Sequence, residues 1–228
     1  MKETTFTLKN RTCVFHGQED PAYLFILPMD GGEMKELPAF LGYMEQASHP
    51  AFALVAFMIG DWNKELSPWD APAVFGRESF GHGAAETLAF VTEDLVPYVA
   101  ALADLPTDIK LVLGGYSLAA LFSLWSSYQT DAFYAVSAAS PSVWFQGWRD
   151  YIGAKECLAE RVYLSLGDKE DKTKNQVMKT VGENIVRQYE CLQKQSVTCI
   201  LEYNEGNHFR DAIKRSARGF AWSVTEEP

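Results

Sequence analysis

The stretch LVLGGYSLAALFSLW, residues 111–125, decides the fold of this chain. It begins with residues typical of a buried strand, passes two glycines and a serine, and continues as an apolar helix. A strand that turns sharply into a helix is the repeating unit of α/β proteins, in which helices cover a mostly parallel sheet. The turn exposes Ser117, which is therefore either the cap of the helix or a nucleophile.

The same alternation of strands and helices continues on both sides of this turn. We predict one α/β domain over residues 1–228, with a mostly parallel sheet covered by helices on both faces. Residues 60–82 have no clean periodicity and are predicted to form a long loop. Strands are predicted at 4–10, 12–17, 22–29, 51–59, 109–115, 133–140, 161–167 and 197–204. Helices are predicted at 34–47, 84–105, 118–125 and 175–195, with a final helix ending near residue 224.

The charge composition excludes several classes of partner. Thirty acidic and 20 basic side chains give a formal net charge of −10, which repels nucleic acids and anionic membranes. The N-terminus lacks the apolar core of a signal peptide, and the longest apolar run, residues 51–59, is too short to span a bilayer. We therefore expect a cytoplasmic protein. The four cysteines are scattered and indicate neither a zinc site nor a disulfide framework.

Ser117 has the surroundings that a nucleophilic serine needs. Gly115 and Ala119 place small residues two positions before and after it, close to the pattern G-x-S-x-G with alanine at the last position. Small neighbours allow the backbone to approach closely at a strained corner. The following helix N-terminus also directs free N–H groups, including that of Leu118, toward a developing oxyanion.

A nucleophilic serine needs a base, and four histidines are available. His208 follows the last predicted strand, where this architecture places its catalytic base, and is the predicted base. His82 lies before a long helix and is the alternative, because it could line a pocket. His16 and His49 are assigned to surface or packing roles.

The base in turn needs a carboxylate that orients it. Asp168, Glu170 and Asp171 directly follow a predicted strand, and two of the three are expected to be solvated. Their position between Ser117 and His208 matches the chain order Ser, acid, His of one class of triad.

These motifs carry a family resemblance. GGYSLAA, SPSVWF (residues 140–145), SLGDKED and EGNHF, in this order, resemble the α/β-hydrolase superfamily. The chain is most similar to the esterase group that includes enterochelin-esterase-like and esterase-D-like proteins. SPW at residues 67–69, FGHGAAETL and LVPYV are similar to the same group, so the resemblance spans most of the chain.

The resemblance implies an α/β-hydrolase fold and further site residues. It places an oxyanion donor in the loop PMDGGE, where Gly31 or Gly32 would offer its N–H, the alternative being a plain turn. In relatives the acid commonly stands three residues after the glycine that ends the strand, which selects Glu170, with Asp171 as runner-up. Ala119 departs from the family's second glycine, and no arginine cluster marks a site for an anionic catecholate siderophore.

The sequence therefore predicts a serine carboxylesterase that needs neither a metal nor an organic cofactor. Trp69 and Trp144 are predicted to form aromatic walls of a pocket for a small, neutral or weakly charged ester, or else to pack the 60–82 loop. Thioester hydrolysis, acyl transfer and siderophore ester hydrolysis use the same triad and remain alternatives. A noncatalytic binding module on this fold is the remaining possibility.

Overall fold

The central sheet of this computed structural model contains eight strands in the order β1-β2-β4-β3-β5-β6-β7-β8. The structure describes residues 2–47 and 49–225, so residues 1, 48 and 226–228 of the predicted domain lie outside the described part. Strands β3 to β8 are parallel, whereas β1 pairs with β2 and β2 with β4 in antiparallel fashion. The strands are β1 Lys2–Leu8, β2 Arg11–Gly17, β3 Tyr23–Met29, β4 Phe52–Met58, β5 Lys110–Tyr116, β6 Ala135–Ala139, β7 Arg161–Gly167 and β8 Thr198–Asn204.

Helices cover both faces of this sheet, as predicted for an α/β-hydrolase fold. Helices α1 and α8 pack on one face, and α3 to α7 contribute to the apolar cluster on the other. The helices are α1 Leu37–Glu45, α2 Trp62–Glu65, α3 Ala84–Ala89, α4 Val96–Ala103, α5 Leu118–Ser126, α6 Trp148–Ala154, α7 Val181–Lys194 and α8 Ala212–Val224. In the described part of the chain, no helix is both long enough and apolar enough to cross a membrane.

All eight predicted strands are present, but three predicted segments differ in detail. The predicted loop 60–82 contains the short helix α2, whose first turn is capped by the Asp61 carboxylate accepting from Lys64 N. The predicted helix 84–105 is divided into α3 and α4 by a π-helical turn, Phe90–Leu95, just before Pro97, which has no N–H to donate.

The predicted helix 175–195 also begins later than expected. The Asn175 side chain accepts hydrogen bonds from the N–H groups of Val177 and Met178. Its amide nitrogen also donates to the Val74 carbonyl, which ties the segment to the 60–82 loop. This capping side chain holds a turn ahead of the helix, and α7 starts only at Val181.

Helix α8 packs directly onto β5 because β5 carries a glycine at the contact. A Cβ at Gly114 would lie 2.6 Å from the Phe220 ring. Phe220 is fully buried, and its ring lies 5.0 Å from that of Phe25 and 5.5 Å from that of Phe40. This contact holds α8 against β5.

We expect Phe220→Ala to lower the free energy of unfolding by about 3–5 kcal/mol, because it leaves a cavity between α8 and the sheet. Urea denaturation followed by circular dichroism measures this change. Leu158→Ala is the control, because Leu158 is 46% exposed and its loss should change stability by less than about 0.5 kcal/mol. Equal effects of the two substitutions would contradict this account of the packing.

Candidate active site

The turn between β5 and α5 holds Ser117 in a strained conformation. Its φ of 57° and ψ of −117° lie in a region that L-residues rarely adopt, at a cost of about 1–3 kcal/mol. Gly115 makes this corner possible, because a Cβ at that position would lie 2.6 Å from the Ala119 Cβ. Ala119 itself fits, so the departure from G-x-S-x-G is sterically mild.

The Ser117 hydroxyl does not cap the helix that follows it. No side-chain hydrogen bond caps α5 at Ser117. The Ser117 Oγ instead lies 3.0 Å from His208 Nε2, and 3.4 Å from the hydroxyl of Ser142 on the loop after β6. The capping alternative is therefore wrong for this residue.

His208 lies on the loop after β8 and connects the serine to a carboxylate. Its Nδ1 is 2.7 Å from Glu170 Oε2. An ionised carboxylate can only accept a hydrogen bond, so Nδ1 carries a proton, and in the uncharged form of the ring Nε2 is an acceptor. The Ser117 hydroxyl is then the donor to Nε2, which is the arrangement in which a histidine can remove the serine proton.

Glu170 is the carboxylate against His208, and its side chain is only 3% exposed. Its Oε1 accepts hydrogen bonds from Ser140 Oγ at 2.6 Å, Gly167 N at 2.7 Å and Arg215 Nη2 at 2.9 Å. Burial raises the pKa of Glu170, but the hydrogen bonds from His208, Ser140 and Gly167 outweigh it and lower the pKa from 4.5 to about 2. The side chain is therefore a carboxylate at neutral pH.

The two neighbouring acids have other partners, so the structure separates the three candidates. Asp168 accepts a hydrogen bond from Gly206 N at 2.8 Å and fastens the β7 and β8 loops to each other. The Asp171 carboxylate lies 2.9 Å from Lys172 Nζ. Gly167 is needed at the end of β7, because a Cβ there would overlap the Gly206 carbonyl oxygen. This close approach brings Glu170 and His208 together.

The other histidines lie in different environments. His82 pairs with Asp70 at 2.9 Å on an exposed part of the 60–82 loop, and the side chains are 74% and 76% exposed. The Asp70 hydrogen bond and charge raise the pKa of His82. His49 contacts the carbonyl oxygens of Met44 and Pro50, and His16 is buried on β2. Only His208, among the described histidines, lies within hydrogen-bond distance of Ser117 Oγ.

The predicted oxyanion donors do not all have a free N–H. Leu118 begins α5, so its N–H has no acceptor within the helix. The Gly32 N–H, however, donates to Asp30 Oδ1 at 2.7 Å, and the Glu33 N–H donates to the same oxygen at 2.8 Å. The N–H of Gly32 is therefore engaged in a local turn. Gly31 stays the predicted oxyanion donor of this loop.

The predicted aromatic walls are largely engaged in packing. Trp69 Nε1 donates to the Gln146 carbonyl at 2.8 Å, and its ring stacks on Trp148 with centroids 6.4 Å apart. Trp144 is 8% exposed and lies against Phe80 with a centroid distance of 5.9 Å. Both tryptophans hold the 60–82 loop against the segment after β6, which is the packing alternative that the sequence left open.

Sequence reasoning missed three residues that support the triad. Arg215, on α8, is 2% exposed and donates to Glu170 and to the Tyr116 hydroxyl. Ser140 donates to Glu170, and the Tyr116 hydroxyl donates to the His208 carbonyl at 2.7 Å. The only sequence signal for Arg215 is that a charged residue falls on the stripe of α8 that also contains buried Gly219 and Phe220.

The sequence can now be compared with known families. The model of the Esterase family, described as "Putative esterase", matches residues 15–215, a span that includes Ser117, Glu170 and His208. The chain belongs to this esterase family. It is a carboxylic ester hydrolase with the α/β-hydrolase fold. No curated protein matches the sequence of this esterase.

Solved structures of several hydrolases are similar over nearly the whole chain. The siderophore hydrolase EstA from Aspergillus nidulans is 18% identical, with a TM-score of 0.71, and the alignment covers 97% of this chain and 93% of that one. An IroE-like serine hydrolase from Shewanella oneidensis is 15% identical, with a TM-score of 0.77 and coverage of 97% and 79%. The enterobactin esterase FES from Shigella flexneri is 16% identical, with a TM-score of 0.70 and coverage of 97% and 58%.

Ser117 is the hydroxyl that lies against the His208 imidazole, so a fluorophosphonate probe should label it. We expect Ser117→Ala to abolish labelling and His208→Ala to lower kcat/KM for an activated ester by at least about 10³-fold, since triad members act as a unit. Peptide mass spectrometry locates the label, and initial rates measure the loss.

His82→Ala is the matched control for the histidine, because His82 also faces a carboxylate but does not contact Ser117. We expect it to leave kcat/KM within about 3-fold of the unsubstituted enzyme, as for a surface change away from the site. A loss after His82→Ala as large as that after His208→Ala, or labelling that survives Ser117→Ala, would contradict the assignment.

The low pKa of Glu170 determines how kcat/KM should fall at acid pH. Because that pKa is lowered from 4.5 to about 2, the carboxylate in the folded protein stays ionised as the pH falls through 4.5, whereas its contribution to stability is complete above pH 4.5 and is lost progressively between pH 4.5 and about 2. The acid limb of log kcat/KM between about pH 4 and pH 7 should then follow one protonation, with a slope of about 1. Circular dichroism at each pH verifies folding, and a second inflection near pH 4.5 in folded protein would contradict the low pKa.

Proposed function

We propose that this esterase hydrolyses a small ester through an acyl-enzyme on Ser117, with His208 as the base and Glu170 as the group that orients it. The observation that carries this proposal is the continuous chain of hydrogen bonds from Ser117 Oγ through both His208 nitrogens to Glu170 Oε2, with distances of 3.0 and 2.7 Å. The first distance lies within the range at which a general base can accept a proton, and the second within the range of the hydrogen bond that orients the base.

The reaction follows from these contacts. His208 Nε2 takes the hydroxyl proton as Ser117 Oγ attacks the ester carbonyl carbon, and Glu170 stabilises the imidazolium that forms. The N–H groups of Leu118 and Gly31 stabilise the oxyanion of the tetrahedral intermediate. His208 then gives its proton to the leaving alcohol. Water, activated by the same imidazole, releases the acid and restores the serine.

A cavity beside the nucleophile turn supports a small substrate. It has a volume of about 330 Å³ and is lined by residues of the loop after β3, by Gly115 and Tyr116, and by Ile213 at the start of α8. Glu33 also lines it, and burial raises the pKa of Glu33 to about 7, so this carboxyl carries only part of a negative charge at neutral pH. We assign this cavity, instead of one walled by Trp69 and Trp144, to the acyl group.

Siderophore ester hydrolysis is the second candidate function. It is favoured by the structural similarity to the siderophore hydrolase EstA and the enterobactin esterase FES, which extends over 97% of this chain. The charges near the triad favour a neutral ester over a polyanionic one: Arg215 is bound to Glu170, and Arg210 pairs with Glu205 at 3.0 Å. Neither guanidinium is available as an unpaired cation for a catecholate.

A small-molecule ester is therefore the proposed partner, and nucleic acids and membranes are not, in line with the net charge of −10. The cytoplasmic location and the independence from cofactors stay predictions from the sequence.

Comparison of substrates tests this proposal. We expect kcat/KM to be highest for p-nitrophenyl acetate or butyrate and to fall with longer acyl chains. Ile213→Trp narrows the cavity and should lower kcat/KM for the butyrate by about 10-fold or more, and for the acetate less, because one misfitting group in a pocket changes discrimination by about 1–3 kcal/mol. Steady-state rates on a series of esters, one acyl thioester and one catecholate siderophore provide the measurement.

Leu158→Trp is the matched control, since Leu158 is exposed and bonds through its N–H to Ser127, at the far end of α5 from Ser117. Its acyl-chain preference should equal that of the unsubstituted enzyme. Efficient hydrolysis of the siderophore with negligible rates on short esters would replace the small-ester proposal with the second candidate. A preference for the thioester would make the enzyme a thioesterase.

A further inference from the structure

Arg215 is the one guanidinium, in the described part of the chain, that contacts the triad, and it does so from inside the protein. Its side chain is 3% exposed, and its Nη2 lies 2.9 Å from Glu170 Oε1. The same nitrogen also donates to Ser140 Oγ, and Nη1 donates to the Tyr116 hydroxyl at 2.7 Å. The guanidinium therefore bonds to groups from the loops after β6 and β7 and from the end of β5.

The two oxygens of Glu170 have separate functions in this arrangement. Oε1 takes the bonds from Arg215, Ser140 and Gly167, whereas Oε2 takes the bond from His208 alone. Three donors from different elements converge on Oε1 and together restrict the orientation of the carboxylate, and the bond from the guanidinium is charge-assisted. Oε2 is then held toward Nδ1 of the imidazole without a second partner.

The contact through Tyr116 extends this effect to the base. The Tyr116 hydroxyl accepts from Arg215 and donates to the carbonyl oxygen of His208 at 2.7 Å. Tyr116 also directly precedes Ser117 in the chain. One guanidinium is thus linked by hydrogen bonds to the acid, to the backbone of the base and to the residue next to the nucleophile.

We propose that Arg215 is a positioning residue that fixes the orientation of the Glu170 carboxylate, anchors His208 through Tyr116, and balances the buried negative charge beside the imidazole. This inference rests on the proposed function of Ser117, His208 and Glu170. A buried carboxylate without a counter-charge would attract a proton to His208, and a protonated imidazole cannot accept the serine proton. A salt bridge that served folding alone would have neither consequence.

The test compares Arg215→Gln and Arg215→Lys with the unsubstituted enzyme. Glutamine keeps a polar side chain but loses the charge, so we expect kcat to fall by about 10- to 100-fold with little change in KM, because the acid and base are no longer held in place. Lysine restores the charge without the planar fork and should recover part of the rate. Rates are expressed per active site, counted by fluorophosphonate titration, so that misfolded protein does not contribute.

The pH dependence separates a positioning role from a structural one. In Arg215→Gln the uncompensated Glu170 carboxylate favours the imidazolium, so the acid limb of kcat/KM should move to higher pH by about one unit, and Arg215→Lys should return it. The other charged groups around the pair are unchanged in both variants: on the Glu170 loop Asp168, Lys169, Asp171 and Lys172, and on the His208 loop Glu205, Arg210 and Asp211. Nuclear magnetic resonance titration of the His208 ring measures the same shift without any substrate.

Arg218→Gln is the matched control on the same helix. Arg218 is 48% exposed, pairs with Glu202 and Asn204 outside the triad, and should leave kcat and the acid limb unchanged. If Arg215→Gln lowers only the melting temperature, with kcat per active site and the His208 titration unchanged, Arg215 is structural and the inference is wrong. If Arg215→Gln does not fold, Arg215→Lys and Tyr116→Phe decide: a kcat per active site that is unchanged in both variants would overturn the inference.

The substrate-free titration keeps this result distinct from a failure of the proposed function. An unsubstituted enzyme that hydrolyses no ester, while Arg215→Gln still shifts the His208 titration, would contradict the substrate proposal and support the charge-balancing role of Arg215. Hydrolysis of an ester by the unsubstituted enzyme, with no shift of the His208 titration in Arg215→Gln, would support the substrate proposal and contradict the charge-balancing role of Arg215.

Discussion

The buried Glu170 carboxylate is the point on which the arrangement of the active site depends. Removing an ionised carboxylate from water is costly unless its oxygens receive hydrogen bonds or a counter-charge. Glu170 receives both, from Gly167 on its own loop, Ser140 after β6, His208 after β8 and Arg215 on α8. Three strand ends and one helix are therefore fixed relative to each other because each supplies a partner to the same group.

The strained turn at Ser117 depends on this framework. A positive φ at a serine persists only where the surrounding structure holds it, and here Ser117 N donates to the Ala139 carbonyl at 3.1 Å while α5 continues directly from the turn. Glycines at two close contacts, Gly115 against Ala119 and Gly167 against Gly206, remove the side chains that would push these elements apart. Backbone strain and close approach occur at the same edge of the sheet, where the chemistry takes place.

Local patterns predicted the parts of this site that are encoded by neighbouring residues. The alternation of strands and helices, the serine between small residues and the histidine after β8 were all visible in short segments, and the spacing implied by the family resemblance, counted from Gly167, selected Glu170. The partners of individual groups were not visible, because they come from distant segments. Gly32 loses its predicted role because Asp30 takes its N–H, and Trp69 packs against residues some 80 positions later in the chain.

The role of Arg215 was also not predictable from the sequence, because the partner of this residue lies in a distant segment. A single arginine on the buried stripe of an amphipathic helix is a visible anomaly, but nothing in the helix itself identifies the carboxylate that it meets 45 residues earlier. The ion pair of Arg215 and Glu170 bears on the charges that form during the proposed reaction. In the proposed tetrahedral intermediate the imidazolium of His208 is matched by the new oxyanion, while the charge of Arg215 is matched by that of Glu170. The buried site therefore keeps its net charge through the step that creates two ions, which limits the solvent reorganisation that the reaction requires.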